Sequence, residues 1–362
     1  MIKQIIKKLF SIVQFLAPLF SKKSKLDSNK ARELLENYSP KPIGEVLVKN
    51  NLIEPTVDLQ IIVPAYNVEQ YLADCLDSII SQQTQYTYMA VVIDDGSTDG
   101  TPAIADKYSN NEKIIVIHQP NKGFSGARNT GLKNLFGKYI MFVDSDDMLC
   151  PGAIEALLKT AFENDCDIVE GGMFSLKNNV QQPLYSYPQK KILSTALGTL
   201  HGFVAAKTFK ADCFENLAYP EGFWFEDSIF SFLIYPVKTR ICVIDEFIYI
   251  YRANPNGISS THKGKPKSID TYWITEKLMQ TQDTLNIPVN KAYLEKYLRQ
   301  LILNQKRIAK LPEPIQESAF VLSADMMHQY FPDDIKIAGK YKRLAHALSV
   351  KDWGKFRFYC KF

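Results

Sequence analysis

Between Leu59 and Glu170 the chain repeats one unit, a short unbroken apolar run and then a stretch of helical periodicity. Leu59-Gln60-Ile61-Ile62-Val63, Met89-Ala90-Val91-Val92-Ile93, Ile114–Ile117, Tyr139–Val143 and Asp167–Glu170 read as strands. Gln70–Ser81, Thr101–Tyr108, Gly126–Phe136 and Pro151–Asn164 read as the helices between them. Strands apolar on both sides must be covered on both faces. The alternation therefore predicts an α/β domain, a Rossmann-like and mostly parallel sheet with helices on both faces. Beyond Gly171 the pattern weakens into aromatic-rich mixed segments, and residues 270–330 predict a helical region.

These patterns divide the chain into a basic amphipathic segment over 1–25 and a linker over 26–57 with a helix at Asn29–Asn37. The α/β domain spans 58–262, a helical region 263–335 and a basic tail 336–362. Net charge is +4, but unevenly spread: residues 1–25 carry six lysines and no acid, and residues 336–362 carry +7. Basic ends around an acidic middle predict contact with an anionic surface. The first segment places Ile2, Ile5, Ile6, Leu9, Ile12, Val13, Leu16 and Phe20 near helical spacing among lysines. Its apolar run is shorter than the roughly 20 residues a bilayer needs, and no small-residue cleavage site comes after it. An interfacial membrane helix, a protein-docking helix and a signal peptide remain open. Six scattered cysteines without a CxxC pair argue against a zinc site or a disulfide framework and fit a reducing cytoplasm.

Ligands of open parallel sheets bind beyond the carboxyl ends of the strands, and polar residues gather there. The first strand runs into Pro64-Ala65-Tyr66-Asn67, the second into Asp94-Asp95-Gly96-Ser97-Thr98-Asp99, the fourth into Asp144-Ser145-Asp146-Asp147. Any one of these could be a turn or a helix cap. Together on one edge they assemble carboxylates that would repel each other without a cation. Asp-x-Asp at a strand end suits Mg²⁺ or Mn²⁺, which bridge to substrate phosphates. The chain has no Walker A sequence and no Gly-x-Gly-x-x-Gly after the first strand, so phosphates would be held mainly by metal.

These motifs, with Asn121-Lys122-Gly123 and Ser125-Gly126-Ala127-Arg128-Asn129 between the second and the last, resemble inverting family 2 glycosyltransferases of the GT-A fold over about Leu59–Ser260. The resemblance implies a nucleotide-sugar donor, UDP foremost, a divalent metal, and a glycan or lipid-linked saccharide acceptor in cell-surface polysaccharide synthesis. By that match Pro64, Tyr66, Asn67 and Asp95 would hold the nucleobase and ribose side. Lys122, Gly126, Arg128, Asp144 and Ser145 would line the rest of the nucleotide pocket, and Asp146 would ligate the metal. Asp99 reads better as the cap of the next helix. Phe223-Trp224-Phe225-Glu226-Asp227 resembles the family's Glu-Asp motif. Asp227 would be the general base and Glu226 an acceptor-positioning residue, although both could cap a helix over Ser228–Tyr235. Tyr251-Arg252 and Ile258-Ser259-Ser260 look like the family's next conserved stretch, with Arg252 on the donor diphosphate and His262 as a further metal ligand. Lys207 lies near the family's acceptor-region lysine but lacks the aromatic beside it.

The expected protein is thus a cytoplasmic enzyme, peripheral on the inner face of the membrane through its basic ends, with no nucleic-acid partner. Two rivals are a nucleotidyltransferase, for which the first-strand loop lacks a glycine-rich basic sequence, and a catalytically inactive nucleotide-sugar or carbohydrate-binding protein.

Overall fold

The computed structural model describes residues 17–254, 257 and 261–361. The amphipathic positions up to residue 16, and Ile258-Ser259-Ser260, lie outside the described residues. The chain divides into two compact units, Ile43–Gly257 and the combination of Met1–Pro42 with Ile258–Phe362.

In the first unit ten strands form one sheet: β1 Asn51–Ala65, β2 Tyr88–Asp94, β3 Ile114–His118, β4 Asn134–Phe142, β5 Met148–Leu149, β6 Ile168–Lys177, β7 Val180–Tyr185, β8 Lys191–Leu193, β9 Lys207–Lys210 and β10 Ile241–Arg252. The order is β3-β2-β1-β4-β9-β6-β10-β5, with β7 on β6 and β8 on β10. The expected parallel core is the run β3-β2-β1-β4. β9 then enters antiparallel between β4 and β6, and β6 and β10 resume parallel pairing. The second half is therefore mixed, because β9 belongs to the irregular region past Gly171 and not to a helix-connected repeat.

Successive strand residues face opposite sides, and β1 packs differently on each. Leu59, Ile61 and Val63 are fully buried among Leu72, Cys75, Leu76 and Ile79 of one helix and Leu157, Leu158 and Ala161 of another. Ile62 faces the helix Gly123–Leu132, lying against Gly131. Gln60, polar in an apolar run, is buried at no cost in unmet bonds: its amide donates to the carbonyls of Gly131 and Asn134 and accepts from Phe136 N–H.

The fold corrects the reading of the cysteines as unlinked. Cys166 and Cys242 are disulfide-bonded, with Cα atoms 6.3 Å apart. Parallel pairing of β6 with β10 sets Ile168 opposite Ile241, so cysteines 76 positions apart in sequence become neighbours, which linear spacing does not reveal. Cys75, Cys150, Cys213 and Cys360 are buried free thiols.

The second unit is helical: Ser28–Tyr38, Asp270–Thr284, Lys291–Ile308, Glu313–Tyr330, Gly339–Ser349 and Trp353–Lys361. The basic tail is thus two helices. Leu344, Ala347 and Leu348 of one, and Trp353, Phe356, Phe358 and Cys360 of the other, are buried. Their spacing is amphipathic, but the density of lysine and arginine around them hides it. Among the described residues no helix is long and apolar enough to cross a membrane.

Candidate active site

Every strand-end motif read from the sequence lies in the sheet unit. At the end of β1, Asn67 adopts φ 51°, a left-handed conformation that Asn tolerates. Its N–H donates to Ser97 Oγ (3.0 Å) and its Oδ1 accepts from Thr98 N–H (2.8 Å), tying this loop to the one after β2. Tyr66 is half exposed. Asp99 accepts from Thr101 N–H (2.9 Å) and Glu69 N–H (3.1 Å). Slight burial opposes its charge, but these bonds hold its carboxyl below the usual range.

Asp95 is almost wholly buried. Its Oδ1 accepts from Gln119 Nε2 (2.7 Å) and the Lys122 N–H (2.9 Å), while its Oδ2 is buried with no hydrogen-bond partner among the described residues. A buried acceptor left open is costly unless something else meets it. Lys122 opens the helix that carries Gly126 and Arg128. A Cβ on Gly126 would collide with the Lys122 side chain, so the close approach of these two residues requires glycine.

Arg128 is the hub. It is buried, donates through one Nη to Asp144 Oδ1 (2.8 Å) and through the other to Glu226 Oε1 (2.5 Å), and lies over the Tyr219 ring. Burial works against its charge, but Asp144 and Glu226 more than offset this and raise it above its ordinary value. The end of β4 and the Glu-Asp motif, distant in sequence, meet at this guanidinium.

Asp146 Oδ2 accepts from Asn254 Nδ2 (2.9 Å), and its backbone carbonyl accepts from Arg252 Nε (3.0 Å). Burial first, then the charge of Asp144, raises the Asp146 carboxyl above its usual range. Asp147, more deeply buried, accepts from Tyr249 O–H (2.8 Å) and Arg252 N–H (2.7 Å). Tyr249 O in turn accepts from Asp144 N–H (3.0 Å). Arg252 also reaches Asp74 (2.8 Å).

Glu226 is buried and comes directly after Phe225, which is held at φ 67°, an uncommon conformation for a bulky residue. Burial, then the neighbouring Asp227 charge, pushes the Glu226 carboxyl up to about 8. Asp227 stands beside it, half-buried. The chain then makes a π-helical turn, Phe230–Ile234, where the periodicity predicted an ordinary helix. Such turns gather at functional sites. Phe223 is core, whereas Trp224 is half-buried. His262 belongs to the helical unit, its carbonyl accepting from Ser268 Oγ.

Sequence reasoning missed Tyr249, Asn254 and Glu170. The first two belong to the site because β10 ends beside the Asp144–Asp147 turn, a pairing visible only in three dimensions. Glu170 pairs with Lys207 (3.2 Å), both fully buried, in register across β6 and β9. Burial holds the Lys207 ammonium below its usual range, against the pull of Glu170 and Asp227.

Among the described residues no cluster of three or more metal-ligating side chains exists. Asp144 and Asp146 are hard-oxygen carboxylates of the kind Mg²⁺ or Mn²⁺ would take if phosphates and water completed the shell.

These carboxylates and cations gather at the carboxyl ends of the strands, where open parallel sheets bind their ligands. Residues 60–202 match glycosyl transferase family 2. It is 32% identical over 262 residues to "Glycosyltransferase GlyA" of Streptococcus pneumoniae, covering 66% of this chain and 36% of that protein. It is 35% identical over 218 residues to "Uncharacterized glycosyltransferase EpsJ" of Bacillus subtilis, covering 56% and 62%. The chain therefore spans about a third and three-fifths of those relatives' lengths. The fold matches S. aureus TarS 1–349, solved in complex with UDP-GlcNAc, with a TM-score of 0.67 and 22% identity over 84% of this chain and 90% of that one.

Proposed function

We propose that this chain is an inverting glycosyltransferase that moves a sugar from a nucleotide-diphosphate sugar, UDP foremost, to an acceptor hydroxyl of a growing cell-surface glycan. The observation that carries the reading is Arg128 bridging Asp144 and Glu226. It joins the donor-side triplet to the Glu-Asp motif through one buried cation. The names of the relatives support the class, among them a B. subtilis minor teichoic acid biosynthesis protein 28% identical over 320 residues, 81% of this chain and 35% of that one.

Asp95, with its open buried oxygen, and Tyr66 and Pro64 would hold the nucleoside. Lys122 and Arg252 would face the diphosphate, with Ser145 beside it. Asp146 would hold Mn²⁺ or Mg²⁺, which when bound offsets charge on the departing diphosphate. Asp227 takes the acceptor hydroxyl proton as that oxygen bonds to the anomeric carbon and the carbon–phosphate-oxygen bond opposite breaks. Glu226, held by Arg128, positions the acceptor. The basic ends would keep the enzyme at the inner face of the cytoplasmic membrane, near a lipid-linked acceptor. Asp227→Asn is expected to bind UDP as the parent does while releasing nucleotide from none of the UDP-, GDP- or dTDP-sugars that the parent turns over. Release at the parental rate would remove Asp227 as base.

A further inference from the structure

The segment after residue 16 and the helix Trp353–Lys361 form one joint. Lys23 and Asp352 pair as an antiparallel bridge, Ser24 N–H donates to the Lys351 carbonyl (2.9 Å), and Gly354 N–H donates to the Lys22 carbonyl (3.1 Å). The buried Asp352 accepts from Ser21 O–H (2.6 Å), Lys22 N–H (3.1 Å) and Lys355 N–H (3.0 Å). Phe20 stacks on Phe358 with ring centres 4.8 Å apart. A Cβ on Gly354 would collide with the Phe20 carbonyl oxygen, so the segment reaches the helix only because that residue is glycine.

This tight joint presents apolar side chains to water. Leu19 is 76% exposed and Phe20 51%. The same two segments carry Lys22, Lys23, Lys25, Lys355, Arg357 and Lys361, of which Lys22 and Arg357 pair with Glu313 and Lys355 with Asp352. An exposed apolar tip on cation-rich segments is what an anionic bilayer surface accepts: the tip enters the headgroup region and the cations meet lipid phosphates.

We infer that the 17–25 segment and the Trp353–Lys361 helix together form a single docking face for an anionic lipid bilayer, assembled by Gly354 and Asp352. This refines the membrane part of the function proposed above and does not depend on the donor site. The test is flotation of the full chain with phosphatidylcholine vesicles with and without phosphatidylglycerol. The parent is expected to float only with phosphatidylglycerol, and less as salt rises. Leu19→Ser, a change at an exposed position, and the pair Lys23→Gln and Lys25→Gln should each lower partitioning by about tenfold. Gly354→Ala should do so with charge unchanged, its fold checked by circular dichroism. A parent that does not float, that floats equally on phosphatidylcholine, or whose Leu19→Ser and lysine variants float undiminished overturns the inference. So does a dimer in light scattering that Leu19→Ser dissolves, since a second copy would then occupy the face. A parent that floats as expected but binds no nucleoside diphosphate upholds the docking face and overturns the donor-site reading alone.

Discussion

Arg128 carries two carboxylates, the buried Glu226 and the half-buried Asp144, and removing it would leave both without their cation. Breaking a buried pair in this way costs about 3–5 kcal/mol. Arg128→Met should therefore lower unfolding free energy by that order in urea titrations. Adding Glu226→Gln should restore part of it, because the buried carboxyl that Arg128 met is then gone as well. Strict additivity of the two changes would mean that they do not interact. Asp99 is the contrast. The N-cap of the helix Thr101–Tyr108 is Gly100 and not Asp99, so Asp99→Ala should cost about 1 kcal/mol through its lost bonds from Thr101 and Glu69 N–H and leave UDP affinity unchanged; weakened UDP binding would move Asp99 into the proposed donor site. At this scale the sequence is informative about residue types and not about partners. Asp144, Asp146 and Asp227 stand out as strand-end or motif carboxylates, but nothing in linear order links Arg128 to Glu226, 98 positions away.

Elements whose apolar pattern is local are legible in the sequence; those set by pairing are not. β1, β2 and β4 have side chains buried on both faces, and the edge strand β3 is an unbroken apolar run, so their composition alone marks them as strands. β9 and β10 are recognised by what they pair with, and the π-helical turn at Phe230–Ile234 has the same periodicity as a helix. Between β2, β3 and the helix Thr101–Tyr108 sits another unforeseen group. His118 Nδ1 lies 2.8 Å from Asp94 and its Nε2 3.0 Å from Asp106, and hydrogen bonding to Asp94, then to Asp106, raises the imidazole pKa. A histidine raised on folding stabilises the fold fully below its unfolded pKa of about 6.5. That contribution fades as pH rises through the folded value. Because the ring is 44% exposed, its effect stays below about 1 kcal/mol. His118→Gln should accordingly lose part of the stability difference between pH 5.5 and 8.5 in urea unfolding, and an unchanged difference would contradict the pairing.

For the whole molecule, charge asymmetry is readable from composition, whereas its spatial meaning is not. Two basic ends read as separate appendages. Trp353, Phe356 and Phe358 instead build helical core, and Gly354 brings residues 20–22 against it. Likewise Cys166 and Cys242 are unrelated in sequence and become neighbours only through β6 and β10. The residues proposed to hold the donor, from Pro64 to Arg252, lie within the Ile43–Gly257 unit. In the proposed function Asp146 serves a metal-dependent nucleotide site while Asp227 serves chemistry. Calorimetry of UDP binding with and without Mn²⁺, on the parent, Asp146→Ala and Asp227→Asn, tests this most directly. The parent and Asp227→Asn should bind alike and gain affinity with Mn²⁺, while Asp146→Ala should lose that gain and bind at least about tenfold more weakly. Asp146→Ala binding as tightly as the parent, or a parent indifferent to Mn²⁺, would contradict it.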